Sequence, residues 1–97
     1  MSGPFEARRP GALDLPLVIH DLSLGGCLIE SYHEVPAGRR IEIEIDLPEE
    51  GWVTVQAETL YLRENFGFAV KFVGMDEQTR VKLARVVLHR LRERKRR

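Results

Sequence analysis

The sequence contains one cysteine, Cys27, and no apolar run near the roughly 18 residues that a membrane-spanning helix requires. A lone cysteine excludes an internal disulfide, and with it the small domains that disulfides hold together. Metal-binding spacings are missing as well. Cys27 and the histidines His20, His33 and His89 form neither a C-x-x-C nor an H-x-x-x-H pair. They read as a packed thiol and partly exposed imidazoles, with no metal and no cofactor. The strained G-x-S-x-G turn of serine hydrolases is absent, and so is the phosphate loop G-x-x-x-x-G-K-[ST]. No acid, base and nucleophile assemble in the pattern, so the chain does not read as an enzyme. The opening residues MSGPFEARRPG lack the apolar core of a signal peptide, and a cytoplasmic location is the expectation.

What is present fits one small domain with one core: 97 residues, 43% hydrophobic and 31% charged. The net charge of zero hides an asymmetry. Arg80 to Arg97 carry nine Lys or Arg against the single acid Glu93, a net +8, which leaves the first 79 residues at −8. Such a basic end suits nucleic acid, anionic lipid or an acidic partner. A solvated helix end is the plainer account, so it makes no strong case for nucleic acid or membrane.

Along the chain, residues 1–12 hold Gly3, Pro4, Pro10 and Gly11 and read as a flexible lead-in to a single domain over 13–97. Leu13 to His20, apolar around Pro16, reads as an edge strand. Residues 40–47, RIEIEIDL, alternate charged and apolar without interruption, which is a strand with one wet face. PEEG at 48–51 is a turn, Trp52 to Leu62 a long strand, Glu64-Asn65 a hairpin turn, and Phe66 to Val73 a further strand. After Gly74 the period changes. Asp76 can cap a helix over about 76–93, with Val81, Ala84, Leu88 and Leu91 as its apolar stripe, thickened by Val87. Five to seven short strands followed by one amphipathic helix predict a small antiparallel barrel or sandwich with the helix packed on it.

The stretch DLSLGGCLIE, residues 21–30, breaks an apolar run with an acid, a serine and two glycines. On a strand, Asp21 and Ser23 point to the same face. Gly26 then lets the chain kink and a planar ligand approach the backbone. A carboxylate accepts from N–H groups and a hydroxyl donates or accepts, a pair that suits the Watson–Crick edge of guanine. A β-bulge with a side-chain-capped turn is the alternative use of the same residues.

This stretch, the strand entry PAGRRIEIEIDLP (36–48), FGFAVKFVGMD (66–76) and the closing helix, in that order, resemble the PilZ domain family over about residues 17–91. The resemblance implies a six-stranded antiparallel β-barrel with one C-terminal helix. It also implies a bacterial second-messenger module that binds cyclic di-GMP rather than an enzyme. In that family the ligand is held by D/N-x-S-x-x-G, matched here by Asp21, Ser23 and Gly26 with Gly25 beside them. A second motif, R-x-x-x-R, lies in an N-terminal segment that wraps over the ligand. This sequence departs from the second motif: Arg8 and Arg9 are adjacent, and no R-x-x-x-R exists in the N-terminal segment. Twelve extended residues span about 40 Å, so Arg8 and Arg9 are expected to reach back over Asp21 as the cationic clamp. Two roles follow from the resemblance. One is a cyclic di-GMP receptor using Arg8, Arg9, Asp21, Ser23, Gly25 and Gly26. The other is a ligand-blind adaptor that binds protein partners of motility or pilus assembly. The helix also offers a surface for a homodimer.

Overall fold

The computed structural model describes residues 4–11, 15–32 and 35–95, with side chains for all of these except Leu15 and residues 90–95. Six strands and one helix follow one another: β1 (Phe5–Arg9), β2 (Leu15–His20), β3 (Gly26–Glu30), β4 (Arg40–Leu47), β5 (Gly51–Arg63), β6 (Gly67–Gly74) and α1 (Glu77–Lys95). The strands close in the order β1-β2-β3-β6-β5-β4, every neighbouring pair antiparallel. Closure removes the sheet edges that an open arrangement would leave to pair with other chains.

The alternation in β4 sets the interior. Ile41, Ile43, Ile45 and Leu47 are buried, while Arg40 and Glu42 on either side of Ile41 are exposed. Each of those aliphatic side chains contributes about 1.5–3 kcal/mol by leaving water. β4 pairs with β5 without a slip from Arg40↔Glu58 to Leu47↔Gly51. Val53, Val55 and Ala57 therefore face the same interior. β6 adds Phe68 and Val70, and β2 and β3 add Leu17, Ile19, Cys27 and Ile29. The turns sit where the sequence places them, with Glu49 (φ 66°), Gly51 (φ 86°) and Asn65 (φ 61°) in the left-handed region that tight turns demand.

Thr59 is the buried polar member of β5. Its hydroxyl accepts the Arg39 N–H at 2.9 Å and donates to the Pro36 carbonyl. Backbone bonds from Gly38 N–H to Thr59 O (2.8 Å) and Thr59 N–H to Arg39 O (2.9 Å) complete the clamp. The connection before β4 is thereby fixed to the barrel wall.

Three expectations change. Residues 5–9 of the expected lead-in form β1, because Phe5 and Ala7 are buried and alternate with Glu6 and Arg8. Residues 1–3 and 12–14, together with His33 and the side chain of Leu91, lie outside the described residues. β2 is not an edge: β1 pairs with it on one side and β3 on the other. Pro16 is tolerated because the β2–β3 ladder runs only over Val18–His20, beyond its missing N–H. The helix presents a different face to the barrel from the one its spacing predicted. Leu83 and Val86 are buried with Val87 against them, whereas Val81 and Leu88 are exposed. The helix carries two apolar stripes, and barrel contact selects between them.

Asp76 caps α1 as expected, accepting the Thr79 N–H at 2.7 Å. That bond, with the Thr79 hydroxyl and nearby Lys82, holds the Asp76 carboxyl below the usual carboxylate range. A carboxyl lowered in the folded state stabilises it above its unfolded value of about 3.9, and the gain is lost as pH falls through the folded value. Thermal melts followed by circular dichroism should show Asp76→Asn melting below the parent at pH 7, with the gap closing towards pH 2. An unchanged gap would refute the ionised cap.

Candidate functional site

The loop from 21 to 25 joins β2 to β3 at one end of the barrel. Asp21 leaves the sheet with a left-handed φ of 52°, a conformation that acidic and amide side chains adopt more readily than most. The chain then folds around Ser23. Its N–H donates to the Gly26 carbonyl at 2.9 Å, and its hydroxyl donates to that same oxygen at 3.1 Å. The Gly25 and Gly26 N–H groups both donate to the hydroxyl oxygen at 3.2 Å. The Phe72 N–H donates to the Gly25 carbonyl at 2.8 Å and ties the loop to β6. Leu22 packs against the core from the loop's inner side. Asp21, Ser23, Leu24 and Gly25 stay exposed.

Each expected site residue now has a place. Asp21 and Ser23 share this corner, but in a loop rather than side by side on a strand. Ser23 spends its hydroxyl on the turn, because a chain reversing this tightly leaves amides that need an acceptor. Gly26 does not leave a gap for a ligand, which corrects the expectation. A Cβ there would overlap the Val70 carbonyl oxygen of β6, so the glycine serves close strand contact. Gly25 is the open position, since a Cβ there would meet nothing within 4 Å.

Arg8 and Arg9 do not join the corner. They lie on β1, where Arg8 pairs with Pro16 and Arg9 with Leu15. From Pro16 to Asp21 is five residues of chain, about 17 Å at strand rise. Arg8 Nε instead donates to Glu44 Oε1 at 2.7 Å, and its guanidinium carbon lies 4.2 Å from the Trp52 ring centre. Stacking on an indole while paired with a carboxylate restrains the arginine on the β1–β4–β5 wall. Nothing local in the sequence announced this trio, because its members come from three strands. Lys71 is the cation that strand pairing sets next to the corner, opposite Gly26. It is exposed, and its Nζ lies 3.5 Å from Glu58 Oε1.

Outside the barrel, β3 and β6 place Leu28 opposite Ala69, both buried although neither belongs to the interior core. Tyr61 flanks Ala69 from β5, and its side chain is exposed. His20 flanks Leu28 from β2, with its Nε2 2.8 Å from Glu30 Oε1 and its ring 5.3 Å from that of Phe66. A groove near the β5–β6 hairpin is lined by Pro16, Val18, Glu30, Tyr32, Leu62 and Phe66. It lies towards the far end of β3 from the Asp21 loop. The thiol of Cys27 is pushed up to about 12 by burial and is no nucleophile. Among the described residues, no cluster of histidine, cysteine or acidic side chains is placed to hold a metal ion. No helix among them is long and apolar enough to cross a membrane.

The PilZ domain family model matches the chain over residues 2–89. Among solved structures, the fold is similar to one described as the PilZ domain with c-di-GMP of YcgR from Escherichia coli. The TM-score is 0.68 at 19% sequence identity, covering 96% of this chain and 86% of that one. No curated protein matches the sequence.

Proposed function

We propose that this chain, which belongs to the PilZ domain family, is a non-enzymatic cyclic di-GMP receptor domain that reads the nucleotide at the loop 21–25. The observation that carries the reading is an exposed Asp21 at the start of a short loop whose turn Ser23 closes and whose Gly25 carbonyl is tied to β6. An exposed carboxylate matches the two N–H donors of a guanine edge. Ser23 acts as a positioning residue through its turn, Gly25 gives the ligand room, and Lys71 supplies positive charge for the phosphates. The similarity to a structure described with c-di-GMP agrees with this reading.

Isothermal calorimetry with cyclic di-GMP tests it. Binding is expected, and Asp21→Ala should weaken it by at least about ten- to hundred-fold, since even one of its charge-assisted hydrogen bonds is worth roughly 1.5–3 kcal/mol. Arg8→Ala should leave affinity nearly unchanged, since Glu44 and Trp52 hold that side chain elsewhere. Absence of heat at tens of micromolar ligand would end the receptor reading.

One observation favours a second role. Arg8, Ser23 and Gly26 all have structural partners that do not involve a ligand. A ligand-blind adaptor of the same fold needs only those. It would retain the same protein partners with and without the nucleotide.

A further inference from the structure

Helix α1 has an apolar seam that the barrel does not use. Val81 is 41% exposed and Leu88 51%, with half-buried Ala84 between them. At about 100° per residue these three fall within a stripe roughly 60° wide. Leu83 and Val86, which the barrel buries, lie on the other side of the helix. Isolated exposed aliphatic residues are ordinary. The spacing here is not isolated: 81, 84 and 88, continued in the sequence by Leu91, follow the three-four-three step of heptad positions a and d.

The width of the stripe and the charges beside it identify what fits. A strip confined to a and d is a coiled-coil seam, whereas a helix lying in a membrane surface needs a broader apolar face. Ala84 at its centre lets a second helix approach closely. Arg80 and Arg85 flank the seam and are exposed, with Arg85 Nη1 3.1 Å from Glu50 Oε1 of the barrel. In heptad terms these are g and e positions; the next g is Val87, which packs against the barrel core, and Arg92 and Arg94 take the e and g of the following heptad in the sequence. A second copy of this chain would bring arginine against arginine in either orientation, which disfavours self-pairing.

We infer that the Val81–Ala84–Leu88 seam of α1 is a docking surface for a separate acidic amphipathic helix, with aliphatic a and d positions and glutamate or aspartate at e and g. The barrel anchors one side of α1 and leaves the other for the partner.

The probe is a four-heptad peptide with leucine at a and d and glutamate at e and g, titrated into the full chain by calorimetry and sedimentation. Binding is expected as a one-to-one complex that weakens as salt rises. Leu88→Glu should weaken it at least about tenfold by placing a charge in the seam, and Arg85→Glu severalfold. Both positions are exposed, and circular dichroism of the variants should match the parent. A peptide that keeps the glutamates but carries serine at a and d should not bind. The proposal is overturned if the leucine peptide fails to bind, if Leu88→Glu leaves binding intact, or if the serine peptide binds equally well. It is equally overturned by a homodimer of the chain alone that Leu88→Glu dissolves, or by phosphatidylserine vesicles binding through the seam when the peptide does not.

Discussion

Phe68→Ala should lower the stability of the domain by about 3–5 kcal/mol, the range for emptying a buried aromatic site. Phe68 is fully buried and faces the barrel interior from β6, between Ile29 of β3 and Leu62 of β5. Two terms add: the transfer energy of the ring and the cost of the cavity it leaves. The second is large here because the wall is hydrogen-bonded all the way round. A closed barrel cannot bring one strand inward without breaking its ladders on both sides. Against a total of about 5–15 kcal/mol for a domain of this size, the loss is a large share. Urea denaturation should show a lower midpoint at an unchanged slope. Leu62→Ala, at a position 46% exposed near the strand end, is the control and should cost far less. Equal shifts for the two would mean that the interior collapses freely.

The second large effect concerns neighbouring glycines. Gly26→Ala should cost about 1–3 kcal/mol or more, as overpacking does when the surroundings cannot yield. The atom in the way is the Val70 carbonyl oxygen, with the Lys71 Cα behind it at 3.1 Å. Both belong to β6, which β5 holds in place from its other side. Gly25→Ala meets open space and should be close to neutral. Denaturation midpoints of the two variants separate the cases. Equal destabilisation would refute the close-contact account of Gly26. The contrast also bears on function. A loss of nucleotide binding in Gly26→Ala reports a damaged fold, whereas a bulky residue at Gly25 tests room at the corner itself.

Much of this architecture is written in short-range pattern. The alternation from Ile41 to Leu47, the hairpin turn at Glu64-Asn65 and the Asp76 cap were all readable, because each depends on residues within a few positions. β1 was harder to see. It is five residues long, with only Phe5 and Ala7 buried, and Pro4 and Pro10 beside it look like loop. The corner residues were legible in identity but not in role. Asp21 and Ser23 were recognisable from spacing, yet Ser23's commitment to its own turn appears only once the chain has reversed.

Local chemistry thus settles where this chain extends, turns and coils from β2 onwards, since side-chain alternation and backbone dihedrals act over two to four residues. Long-range pairing settles the rest. It chose the stripe of α1 that meets the barrel, set Gly26 against Val70, and held Arg8 on Glu44 and Trp52 instead of over Asp21. Those outcomes depend on which strands lie side by side and in what register, and no short window of residues encodes that.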